Sequence, residues 1–153
     1  MNREIWIFGS DKRIDMTNVG LKKKIANFKS SWNTHGAQIH PDLEIIDERF
    51  FKISSNLDGR KVSGCAKDEL MRFVKSIELE IDVVLLDRTL IFYKNEAGEV
   101  FSVSFKEIET EEFNINRQSI YDLSILSEED FKQRWILPFE QSWLAKMPRK
   151  ITH

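Results

Sequence analysis

Leu43-Glu44-Ile45-Ile46-Asp47-Glu48-Arg49-Phe50-Phe51-Lys52-Ile53-Ser54 is the stretch on which the fold turns. Ile45, Ile46, Phe50, Phe51 and Ile53 are strand formers, because branched and aromatic side chains suit a pleated, half-buried surface. The charged triplet Asp47-Glu48-Arg49 interrupts them, so the run reads as two short strands joined by a tight turn. A single bent strand is the alternative.

Upstream, Glu4-Ile5-Trp6-Ile7-Phe8 is a strand closed by the turn signal Gly9-Ser10-Asp11. Thr17 or Asn18 caps a helix on which Leu21, Ile25, Phe28 and Trp32 recur every three or four residues. Lys22, Lys23, Lys24 and Lys29 lie off that stripe, and Gly36 after His35 is a stop signal. Downstream, Cys65 or Ser63 caps a second helix with a broad apolar face of Ala66, Leu70, Phe73, Val74, Ile77 and Ile81.

Val83-Val84-Leu85-Leu86 follows as a strand, and Asn95-Glu96-Ala97-Gly98 turns Thr89 to Tyr93 into Val100 to Val103 as a hairpin. Phe105 to Glu112 reads as a short acidic helix or turn, and Ser119 to Leu126 as a further strand. Ser127 caps a last helix that carries Phe131 and Trp135 and ends at Pro138. The aromatic residues around Trp135 and Trp143 suit core packing, with an exposed partner patch as the alternative.

The element order predicts an α+β fold with a mainly antiparallel sheet and helices on one face. Its first six elements, β-α-β-β-α-β, follow the ferredoxin-like split unit, with a C-terminal hairpin and helix extension. The chain of 153 residues reads as one domain over residues 1–153, with a sub-boundary near 82–88.

Composition narrows the function classes. A formal net charge of −2 gives no reason to expect nucleic acid. The single cysteine excludes an internal disulfide and a cysteine-rich zinc site. No run approaches the roughly 20 apolar residues of a membrane span, and the first residues carry no secretory pattern. Cytoplasmic residence without membrane contact is the expectation, and no cofactor is called for.

Gly59-Arg60-Lys61-Val62-Ser63-Gly64-Cys65-Ala66-Lys67-Asp68 is the first place to look for a site. Gly59 and Gly64 have the spacing of a phosphate-cradling loop between a strand and a helix. The motif then requires Lys and Ser or Thr, whereas Cys65 and Ala66 stand there, so nucleotide hydrolysis is not expected. A weaker anion site remains, built from Arg60, Lys61, Gly64 and Cys65 at the helix N-terminus, opposed by Asp68 and Glu69. Cys65 is also placed where a thiol pKa is most readily lowered, and His35 is a candidate base, although no spacing joins the two. His35 and His40 have poor spacing for a metal, and Asp42 would have to join them.

Ser31-Trp32-x-x-His35-Gly36, Gly64-Cys65-x-x-Asp68 with Arg72-Phe73, Asp87-Arg88, Trp135-x-x-Pro138 and Ser142-Trp143 occur in this order. The arrangement resembles, over nearly the whole chain, a family of bacterial proteins of about this length. That family is found mainly in Bacteroidetes and is often labelled "ABC transporter ATPase". The resemblance implies a single-domain cytoplasmic protein of unknown function. The label does not transfer, since this chain has neither a complete phosphate loop nor an ABC signature motif. The family carries serines around the positions of Ala66, Glu69 and Leu70, so no hydroxyl-based role is expected at this helix start.

The functional expectation is a non-catalytic binding or accessory domain that pairs with itself or another protein. Two alternatives stand beside it: a thiol-dependent enzyme or sensor using Cys65, and an anion-binding protein using the Gly59–Gly64 loop.

Overall fold

The computed structural model describes residues 3–57, 60–108 and 115–147. In chain order the elements are β1 (Ile5–Gly9), α1 (Val19–Ser31), β2 (Asn33–Thr34), β3 (Ala37–Gln38), β4 (Asp42–Ile46), β5 (Phe50–Ser54) and α2 (Gly64–Ile81). There follow β6 (Leu90–Lys94), β7 (Val100–Ser104), α3 (Phe105–Ile108), β8 (Ser119–Tyr121), α4 (Glu128–Arg134), β9 (Ile136–Pro138) and α5 (Trp143–Lys146). The fold is α+β with antiparallel sheets. The chain divides into two compact units, Met1–Asp87 with Leu123–Gln133, and Arg88–Asp122 with Arg134–His153.

The opening stretch forms two strands. Asp47 and Glu48 both adopt left-handed backbone angles (φ 53° and 55°), and the Arg49 amide donates to the Ile46 carbonyl at 3.0 Å. That two-residue turn matches the right-handed twist of the strands it joins. In the first unit β5 lies between β1 and β4, antiparallel to both. Register places Trp6, Ile53 and Leu43 side by side, with Phe8, Phe51 and Ile45 as the next row. Side chains alternate faces along a strand. Both rows therefore share the face that packs, with α1 and α2, into one core built around Leu21, Phe28, Trp32, Leu70, Phe73 and Ile77.

Asn18 is the α1 cap, its side chain accepting from the Leu21 amide at 2.9 Å. Ser63 rather than Cys65 caps α2, its hydroxyl accepting from the Ala66 amide at 3.2 Å. The predicted apolar stripes are the buried faces of both helices. The helices run antiparallel: Gly20 lies against Glu80, the Phe28 and Phe73 rings stack 4.1 Å apart, and Trp32 reaches Ala66.

Four expectations are corrected. First, α1 ends at Ser31, not at Gly36. Trp32 turns into extended backbone, and His35 and Gly36 form the left-handed turn (φ 50° and 77°) of the small β2–β3 hairpin.

Second, Val83 to Leu86 is not a strand. Its amides are taken by other groups: Val83 donates to the Glu78 carbonyl, Val84 to the Asp11 carboxylate, and Leu85 and Leu86 to the Glu78 carboxylate. Backbone donors satisfied by side chains have none left for a ladder. The split unit thus lacks its sixth element. At the free edge of β1, Ile5 instead donates to the Leu126 carbonyl at 3.0 Å, beside a bridge between Glu4 and Ser127.

Third, the last helix ends at Arg134, so Trp135 lies outside it and Pro138 closes the edge strand β9. An edge is where a residue without an amide donor fits a sheet. Fourth, the strand expected over Ser119 to Leu126 is confined to Ser119–Tyr121. Of Phe105 to Glu112, the residues beyond Ile108 lie outside the described residues.

The second unit is a four-stranded antiparallel sheet in the order β7-β6-β8-β9. The expected hairpin is present: Gly98 (φ 82°) turns the chain, and the Asn95 side chain accepts from the Glu99 amide at 2.9 Å. Its core holds Ile91, Val103, Ile108, Ile115, Ile120 and Leu144, with Phe139 and Trp143 packed against it.

Candidate functional site

The segment before α2 is tied down from three sides. The Val62 amide donates to the Glu4 carboxylate at 2.6 Å, and the Ser63 amide donates to the Thr34 hydroxyl at 3.0 Å. The Ser63 hydroxyl then caps the helix, while the Trp32 indole donates to the Ala66 carbonyl at 2.7 Å. The anchored segment leaves a short run of groups at the surface.

Those groups are Arg60, Lys61, Gly64 and Cys65, all exposed. Gly59 and Asp58 lie outside the described residues. A Cβ built on Gly64 would meet nothing within 4 Å, so the first residue of α2 opens to solvent. Cys65 is a free, exposed cysteine at the second position of an 18-residue helix.

The Thr34–Ser63 hydrogen bond joins the hairpin that carries His35 to the helix start that carries Cys65. That proximity came from the β2–β3 hairpin, which the sequence reading missed. It stops short of a catalytic pair: among the described residues, no hydrogen bond links the His35 ring to the Cys65 thiol. His40 is exposed on the segment between β3 and β4. Among the described residues, no group of three His, Cys, Asp or Glu side chains is placed to hold a metal ion.

The other surface of note is α1. Its thirteen residues include four lysines and no acidic residue. Lys22, Lys23 and Lys29 are exposed, and Lys24 is partly so. Helix geometry sets Lys23, Ala26 and Ser30 along the outward line opposite the buried stripe, with Lys24 on one flank and Lys22 and Lys29 on the other. No residue at i±4 from Lys22, Lys23, Lys24 or Lys29 is acidic, so none has an intrahelical ion-pair partner. Just upstream, Asp15 accepts from the Thr17 hydroxyl at 2.6 Å and the Thr17 amide at 2.9 Å. These bonds, with a smaller contribution from Lys22, hold the Asp15 carboxyl below its ordinary pKa.

The aromatic residues near the C-terminus serve packing. Trp143 donates its indole N–H to the Tyr121 carbonyl at 2.9 Å, and the Trp135 ring lies 4.9 Å from that of Tyr121. No described helix is long and apolar enough to cross a membrane. Compared with protein-family models, with curated proteins and with solved structures, the chain matches none.

Proposed function

We propose that the protein is a non-catalytic binding module whose docking face is the outward side of α1 and whose partner is an acidic surface of another protein. The observation that carries this reading is the lysine face: three consecutive cations early in a helix that itself carries no acid. The helix N-terminus is the positive end of the macrodipole, so cations near it disfavour the helix. An arrangement that costs the free protein stability and gains when an anion arrives is what a docking surface requires.

Charge also selects among occupants. A two-fold contact between copies would set α1 against α1, lysine against lysine, which disfavours self-association through this face. Ala26 and Ser30 on the outward line are small enough for a partner to approach the helix closely, with lysine ammonium groups on either side.

The test is a titration of isotope-labelled protein with an Asp/Glu-rich peptide at low and moderate salt. The expected result is shifts confined to α1 amides, weakened by salt and abolished in Lys22→Gln/Lys23→Gln/Lys29→Gln. Shifts scattered over the molecule, or equal binding by the triple variant, would remove the reading. A stronger response to duplex DNA or to anionic vesicles than to the peptide would replace the partner class.

A second reading is favoured by one observation, the exposure of Cys65 beside the anchored helix start. On that reading Cys65 is a reactive thiol. Iodoacetamide labelling decides it: modification no faster than that of a free thiol, unchanged in His35→Ala, would end the thiol hypothesis.

A further inference from the structure

The second unit contains a cavity of about 140 Å³ that no part of the reading above uses. Its apolar walls are Ile120, Leu137 and Trp143, and its charged groups are Asp122, Arg134 and Lys146. We propose that this cavity binds a small organic carboxylate with a short apolar tail.

Charge is the first argument. Two cations face one carboxylate, so the lining carries a net +1 and favours an anion. The Asp122 side chain is 10% exposed and lies 3.6 Å from Arg134 Nη1, whose side chain is 49% exposed. The two form an ion pair, so Asp122 holds the guanidinium at the cavity. The Asp122 backbone is itself fixed, its amide donating to the Trp135 carbonyl at 3.0 Å. A guanidinium has five N–H donors in a planar fork that matches a carboxylate. Asp122 is therefore a positioning residue, and Arg134 with Lys146 supplies the contacts.

Of the three remaining polar groups, Gln141 is an exposed neutral amide, and the other two do not compete for the ligand. Ser142 donates its hydroxyl to the Phe139 carbonyl at 2.6 Å, and the Trp143 indole is engaged with Tyr121. Both shape the wall. Size and polarity then choose among anions. The cavity is well below the roughly 300–1,000 Å³ of pockets for drug-sized ligands. Its three apolar walls leave an inorganic anion poorly matched and suit a tail of a few carbons.

The experiment follows the Trp143 indole N–H resonance, assigned with Trp143→Phe. Butyrate, butylammonium and inorganic phosphate are added separately at matched ionic strength. The expected result is a saturable shift with butyrate, a weaker one with phosphate and none with butylammonium. Arg134→Gln should weaken butyrate binding about tenfold, as loss of a charge-assisted pair does. Lys146→Gln, at an exposed position, gives an independent reading should Arg134→Gln perturb the fold. A response linear in concentration, an equal response to phosphate or butylammonium, or wild-type binding by Arg134→Gln and Lys146→Gln would overturn the assignment.

Discussion

The fully buried indole of Trp32 donates its N–H to the carbonyl oxygen of Ala66 at 2.7 Å. This bond joins the residue that ends α1 to the first turn of α2, across 34 positions of sequence. The same ring packs 4.9 Å from Phe28 and 5.8 Å from Trp6, so one side chain links two helices and the sheet. Trp32→Phe keeps most of the apolar volume but loses the donor, and should cost about 1–3 kcal/mol. Trp32→Ala should cost about 3–5 kcal/mol, because it adds a cavity. Chemical denaturation measures both. A Trp32→Phe variant as stable as the parent would show that ring packing alone joins the helices.

Lys52 and Glu128 form a second long-range link, within the first unit. Their charged atoms lie 2.8 Å apart with side chains 11% and 25% exposed, and the Lys52 ammonium sits 4.1 Å from the centre of the Phe131 ring. Lys52 projects from the sheet face opposite Phe51 and Ile53, so the pair pins α4 to that face. Glu128→Gln leaves a largely buried ammonium without its counter-charge. The cost should fall near the lower end of the about 3–5 kcal/mol typical of broken buried pairs, since Glu128 is partly solvated. Lys52→Met/Glu128→Leu should recover most of that loss in a denaturant melt. Failure of the double variant to recover would mean that the ion pair adds stability beyond its apolar replacement.

What the sequence revealed and what it hid divide along a physical line. The α1 and α2 stripes were legible because helix periodicity is local: Leu21, Phe28 and Trp32 announce one face whatever packs on it. The Asp47-Glu48 turn was legible for the same reason. Val83 to Leu86 was misread because its composition suits a strand, while its amides are claimed by Glu78 and Asp11. Side-chain capping over such distances leaves no periodic trace. His35-Gly36 looked like a helix stop and is a hairpin turn, and the two share the left-handed angle that made glycine the signal. Of the candidate site, the exposed Cys65 and cations were visible, but the Thr34–Ser63 bond that brings the His35 hairpin to them was not. The cavity around Asp122 draws on residues from three separate stretches, beyond the reach of any motif.

Asp15 gives a pH prediction with a definite sign. Hydrogen bonds from the Thr17 hydroxyl and amide favour its charged form, and the folded pKa is depressed. Such a group adds stability at pH above its unfolded pKa of about 3.9, and that contribution is lost as pH falls through the lower folded value. The Thr17 amide resonance should therefore titrate with a midpoint below that of an aspartate in an unfolded peptide. Thr17→Ala, which removes the hydroxyl donor, should move the Asp15 midpoint upward. A midpoint at or above the peptide value would contradict the geometry.

The lysine face makes the sharpest separation between a docking surface and an ordinary solvated one. Lys22 and Lys23 follow Val19-Gly20-Leu21 directly, close to the positive end of α1, and the helix offers them no acid. Lys23→Glu should stabilise the free protein by about 0.2–0.5 kcal/mol, through the helix dipole and relief of like-charge repulsion, and Lys22→Glu by less, since it gives up the attraction to Asp15. Together they should raise Tm by roughly a degree or two for a chain of this length. The same double variant should lose the acidic-peptide response. A solvated face selected only for solubility would show the stability gain with no binding to lose. If the double variant instead melts lower, the lysines support the fold, and the argument that their placement costs the free protein stability falls with it.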